Sequence, residues 1–95
     1  IKFPALDRWR DRRPVLVDDI ISTGRTMEVA VRKLGERGFP AAVCLGIHGL
    51  FAENAFERLL GAGASNIVST NTVSHRASEL DVSDIVATAI TSFVK

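Results

Sequence analysis

Two adjacent carboxylates, Asp18 and Asp19, stand three residues before the cluster Ser22-Thr23-Gly24-Arg25-Thr26, and together they are the strongest chemical signal in the chain. Carboxylate oxygens accept hydrogen bonds from sugar hydroxyls and ligate hard cations. The second cluster offers hydroxyls, backbone N–H groups and a flexible glycine at the expected start of a helix. Such a terminus suits an anion, because its first N–H groups lack intrahelical partners and the positive end of its dipole faces outward. Together the two clusters suit a sugar phosphate. A plain Mg²⁺ site on Asp18 and Asp19 is a second reading of the same carboxylates. An ordinary solvated capping turn explains the pattern less well, since neighbouring like charges repel unless something neutralises them.

The residues on either side say what must hold these groups. Val15-Leu16-Val17, after Pro14, reads as a buried strand that ends at the aspartates. Met27, Val29, Ala30, Val31 and Leu34 fit one face of a helix over residues 26–37, which Gly38 and Pro40 terminate. Residues 41–47 are continuously apolar and of strand length, which predicts a central parallel strand covered on both faces. A second amphipathic helix is expected over residues 51–60, stopped by Gly61 and Gly63, and then a short strand over residues 66–70. Residues 74–80 read as irregular. Residues 81–84 supply N-cap types for a last helix, with Ile85, Val86, Ala89, Ile90, Phe93 and Val94 as its apolar face. Residues 1–6 read as a short edge strand weakened by Pro4.

Strands alternating with helices imply an α/β fold with right-handed crossovers and a parallel sheet of about three to four strands. The loops over residues 18–26, 48–51 and 71–74 then share one edge of the sheet, where ligands of open α/β folds bind.

Composition bounds the rest. Ninety-five residues, 46% apolar and 24% charged, make one small globular domain spanning residues 1–95. The first residue is Ile1 rather than methionine, so the domain is expected to be the C-terminal part of a longer chain. A net charge of +1 argues against a dedicated nucleic-acid surface. No apolar run approaches the roughly 18 residues of a membrane span, and nothing resembles a signal peptide, so a cytoplasmic protein without membrane contact is expected. The single cysteine, Cys44, lies in an apolar run and reads as a buried, inert thiol. Around Trp9, residues 7–13 carry four arginines, which read as a solvated connection with the tryptophan over the sheet edge, or else as an anion or partner site. His48 is either a contact at the rim of the site or a histidine bonded within its own turn. His75, beside Arg76, reads as a surface residue.

VLVDDIISTGRTM, residues 15–27, resembles the binding loop of the type I phosphoribosyltransferase fold. The HGLF turn with its downstream ERLLGAGA helix, the strand-plus-turn IVSTNTV and the terminal LDVSDIVATAI helix are similar to ribose-phosphate diphosphokinases within that superfamily. The likeness runs from Val15 to the end of the chain. It implies a three-layer α/β domain in which Asp18 and Asp19 bind the ribose 2- and 3-hydroxyls, directly or through Mg²⁺ and water. Ser22, Thr23, Gly24, Arg25 and Thr26 would cradle the 5-phosphate. Arg25 departs from the pattern, because many synthetases of this kind carry a second glycine there. His48, Asn71 and Thr72 are the rim candidates.

The same likeness places no catalytic residue within this segment. It implies Mg²⁺ as cofactor, ribose 5-phosphate or 5-phosphoribosyl 1-diphosphate as ligand, and ATP bound through another half of the protein. A homo-oligomer is implied too. The segment by itself is expected to bind the sugar phosphate weakly and to catalyse nothing. Two other readings stay open: a phosphoribosyltransferase of another type, which the HGLF and TNT segments disfavour, and a non-catalytic, synthetase-like regulatory subunit.

Overall fold

The computed structural model describes residues 7–75 and 77–93; the strand expected over residues 1–6 lies outside them. Four strands, β1 (Val15–Ile21), β2 (Val43–Gly49), β3 (Asn66–Thr70) and β4 (Ser78–Leu80), form one parallel sheet in the order β1-β2-β3-β4. Helix α1 (Arg25–Glu36) joins β1 to β2, α2 (Ala55–Ala62) joins β2 to β3, and α3 (Ser83–Phe93) closes the chain. This is the α/β sheet with flanking helices that the alternating pattern implied. β4 was read as irregular, and three residues are too few to show a period; it pairs with β3 across a register shift at Ser69 and Thr70.

Strands added in sequence order along one direction, each by a right-handed crossover, put both crossover helices on the same face of a sheet. α1 and α2 do pack together, and Ile21, Met27, Val31, Leu34, Cys44, Ala55, Leu59 and Ile67 share a single core beneath them. Among the described residues the other face is left open, with Val15, Val17 and Ile47 exposed. β1 is therefore a half-exposed edge strand rather than a buried one. In β2 the buried residues alternate with half-buried ones up to Gly46, so the continuous apolar run over residues 41–47 does not mean cover on both faces. α3 likewise exposes Ile85, Val86 and Ile90, the face expected to be buried.

Helix ends follow local chemistry. Gly38 adopts a left-handed backbone after α1, and the Phe39 N–H reaches back to the Leu34 carbonyl. Gly63 does the same after α2, with the Ala64 N–H on the Leu59 carbonyl; Gly61 lies within that helix and stops nothing. Met27, Ala30, Val31 and Leu34 make the buried stripe of α1, whereas Val29 falls off it and is exposed. α2 begins later than the pattern predicted. Residues 51–54 instead form a tight turn in which Phe51, Glu53 and Asn54 all have positive φ.

Candidate functional site

Because the four described strands are parallel, all their C-terminal ends meet at one edge, and the residues following Val17 gather there. β1 does not stop before the aspartates: it runs through Ile21, pairing Asp18 with Gly46 and Ile20 with His48. An edge strand open on one side accepts such charges, since both carboxylates stay exposed. Asp18, Ile20, Ile21, Ser22, Thr23, Gly24, Arg25, Thr26 and Met27 line one cleft of about 170 Å³. Asp19 is not among them, and its Oδ1 accepts the Ile20 N–H at 2.9 Å.

Gly24 is the pivot of this cleft. Its φ of 67° lies in the left-handed region that glycine enters without steric cost. The first helical hydrogen bond, from the Glu28 N–H to the Gly24 carbonyl at 2.7 Å, sets α1 going at once. No side chain caps this end of α1. The early N–H groups of the helix thus open on the cleft, together with the positive end of its dipole.

Arg25 lines the cleft and pairs with Glu53 at 3.1 Å, both side chains largely exposed. A side chain missed in the sequence reading, Arg58 on α2, does more. Its guanidinium donates to the Thr23 carbonyl, to the Glu53 carbonyl at 3.1 Å and to Glu28 Oε1 at 2.6 Å. Arg32 joins Glu28 from the next turn of α1 at 3.4 Å. The Arg58 hydrogen bond, with help from Arg32, holds the Glu28 carboxyl below its ordinary value. No motif signals Arg58, because the contact joins residues 35 apart in sequence.

Of the three rim candidates, His48 and Thr72 meet each other and Asn71 engages a different element; none lines the cleft. His48 Nδ1 and Thr72 Oγ1 are 2.7 Å apart, and Thr72 also meets Thr70 Oγ1 at 3.0 Å and the Ile47 carbonyl at 3.2 Å. Asn71 is engaged with the start of α3. Its Nδ2 donates to Asp81 Oδ1 at 2.9 Å, and its Oδ1 accepts the Val82 N–H at 3.0 Å. The N–H and hydroxyl of Ser83, with Asn71, draw the Asp81 carboxyl below its usual range.

His75 is not a free surface residue. Its ring lies 4.3 Å from that of Phe51 and 5.3 Å from that of Phe56, and its Nδ1 accepts the Ala77 N–H at 3.1 Å. Gly49 makes room for this cluster, since a Cβ there would meet Phe51 Cε2 at 2.3 Å and Ser69 Oγ at 2.8 Å. Cys44 is fully buried, and burial pushes its thiol up to about 11, as expected for an inert core thiol. Trp9 is half-exposed, with the guanidinium groups of Arg8 and Arg12 over its ring, and it lines a second, apolar cleft with Leu34 and Phe39.

For a metal, the fit is narrow. Among the described residues no three His, Cys, Asp or Glu side chains cluster as a ligand set. Asp18 alone presents a carboxylate to the cleft. That suits Mg²⁺, which is commonly held by one or two carboxylates plus substrate phosphates and water, and it does not suit a cage built from protein alone.

A parallel α/β sheet with an uncapped helix end, a left-handed glycine and one carboxylate in a single cleft defines an open α/β domain with its cleft at the C-terminal edge of the sheet, the edge where such folds take ligands. The chain belongs to the phosphoribosyl synthetase-associated domain family, whose model matches residues 10–95. It is 42% identical over 71 residues to a ribose-phosphate pyrophosphokinase of Sulfurisphaera tokodaii, covering 75% of this chain and 24% of that protein. A ribose-phosphate pyrophosphokinase of Sulfolobus acidocaldarius is 41% identical over 78 residues, 82% of this chain and 27% of the relative. The fold is similar to the crystal structure of phosphoribosylpyrophosphate synthetase from Mycobacterium smegmatis. That likeness has a TM-score of 0.74 at 26% identity and covers 88% of this chain and 32% of the other. The chain thus spans about a quarter of the length of the curated relatives it matches.

Proposed function

We propose that this domain is the ribose 5-phosphate-binding half of a ribose-phosphate diphosphokinase. One observation carries the reading. Asp18 and all five residues from Ser22 to Thr26 line a single cleft at the uncapped N-terminus of α1. In that cleft the backbone N–H groups of the loop and the first turn bind the 5-phosphate. Asp18 accepts hydrogen bonds from the ribose hydroxyls, and Asp19 stands behind it as a second negative charge. With the sugar so held, its 1-hydroxyl faces outward to a nucleotide.

In the reaction this reading implies, the 1-hydroxyl oxygen bonds to the β-phosphorus of ATP. The bond from that phosphorus to the α-phosphate oxygen breaks, AMP leaves, and the hydroxyl proton is released. Such transfers depend on positioning and on stabilising the charge of the moving group. Mg²⁺ would neutralise phosphate charge there, with Asp18 as the carboxylate that anchors it. ATP would bind residues outside this domain, so the domain alone binds sugar phosphate and leaves ATP intact. We propose a homo-oligomeric, cytoplasmic parent on the same family likeness.

The test is a calorimetric titration of the chain with ribose 5-phosphate, repeated with inorganic phosphate and with ribose. Saturable binding that needs both the sugar and the phosphate is expected. Indifference to the phosphate would refute the reading, and AMP release from ATP by these residues alone would refute the division of labour.

A further inference from the structure

Three consecutive carbonyls of the cleft loop face the same neighbour. The Ile21 carbonyl accepts the N–H groups of Leu50 and Phe51, each at 2.9 Å, and the Ser22 carbonyl accepts the Ala52 N–H at 2.8 Å. The Thr23 carbonyl accepts the Arg58 guanidinium. The described residues contain no cis peptide, and in a planar trans peptide the N–H points opposite to the C=O. With its carbonyls drawn towards residues 50–58, the loop turns the N–H groups of Ser22, Thr23 and Gly24 to the other side. Successive N–H groups on one side of a loop make an anion-binding concavity.

The neighbour that does this is itself strained. Phe51, Glu53 and Asn54 all hold φ between 51° and 58°, a region that side chains with a Cβ avoid. Arg58 bridges this turn to the loop: one guanidinium spans the Glu53 carbonyl, the Thr23 carbonyl and the Glu28 carboxylate. Arginine suits the task, because its fork of donors is rigid and always charged.

We propose that Arg58 is a positioning residue for the phosphate loop, holding the Thr23–Gly24 peptide so that the Gly24 N–H faces the anion. The inference rests on the ribose 5-phosphate reading of the cleft. Arg58 touches no substrate; it acts through Thr23 and Gly24. An arginine that only stabilised the fold would affect melting and not the shape of the loop.

The test follows the Gly24 amide by NMR while ribose 5-phosphate is titrated into the ¹⁵N-labelled chain, with Arg58→Ala and Arg58→Lys beside the wild type. In the wild type the Gly24 amide shifts on saturation. Arg58→Ala raises the Kd at least tenfold and abolishes that shift. Arg58→Lys keeps a charge beside Glu28 and the wild-type melting temperature, yet recovers little affinity, because one ammonium cannot reach all three acceptors. Leu34→Ala, a core change on the far part of α1, lowers the melting temperature but leaves the Kd within twofold. Affinity and a Gly24 shift in both Arg58 variants equal to the wild type would overturn the role of Arg58 alone. No binding of ribose 5-phosphate by the wild type would overturn the reading of the cleft, and this inference with it.

Discussion

Asp18 and Asp19 are neighbours in sequence but occupy different positions in space. Asp18 lines the cleft, while Asp19 is turned to the Ile20 N–H. Asp18→Asn should therefore weaken ribose 5-phosphate binding about tenfold, in keeping with the ~1.5–3 kcal/mol of hydrogen bonds to a charged group, and Asp19→Asn should weaken it less. Equal effects in the two variants, measured by calorimetry, would contradict the asymmetry. Gly24→Ala places a Cβ at a φ of 67° and within 3.4 Å of Leu59 Cδ1. A loss of about 1–2 kcal/mol in denaturant unfolding is expected, together with weaker phosphate binding.

Glu28 gives a pH dependence. Its folded-state carboxyl is held below the ordinary value of 4.5, first by Arg58. A depressed carboxyl stabilises the fold above its ordinary value and loses that contribution as the pH falls through the lower, folded value. The melting temperature should thus fall below pH 4.5, and fall less steeply in Glu28→Gln. Parallel curves for the two proteins would show that the Arg58 contact does not form in solution.

At the scale of elements, what could be read from the sequence was what has a period or a punctuating residue. The apolar stripe of α1 apart from Val29, the glycine stop at Gly38 and the strand over residues 66–70 stand where the pattern put them, and the run over residues 41–47 became β2 two residues later. The segment between β2 and α2 did not. Residues 48–50 read as a turn and the helix as starting at Phe51, but Gly49 admits the Phe51 ring and the chain passes through three left-handed residues before α2 begins at Ala55. Tertiary contacts from the carbonyls of Ile21 and Ser22 sustain that turn, beside a local bond from the Ala55 N–H to the Ala52 carbonyl. The cleft itself was legible, because eight of the residues that line it, 20–27, are contiguous. Arg58 was not, because its role comes from the packing of α2 on α1. Gly49→Ala tests the turn: a Cβ 2.3 Å from Phe51 Cε2 should cost about 1–3 kcal/mol of stability by overpacking.

For the whole molecule, topology explains what burial patterns could not. Crossovers of one hand and one direction cover a single face of the sheet, so the valines of β1 stay exposed although their run reads as buried. That open face fits the proposal that the domain works beside further protein, and Val15→Thr with Val17→Thr should reduce self-association of the chain in light scattering. The central claim is that the cleft of β1 and α1 is half of an active site, the half that holds the sugar phosphate. Parallel titrations of the wild type and Asp18→Asn with ribose 5-phosphate and with ribose test it most directly. The account predicts saturable binding that requires the 5-phosphate and weakens about tenfold in the variant. Identical affinities for ribose and ribose 5-phosphate, or for the two proteins, would contradict it.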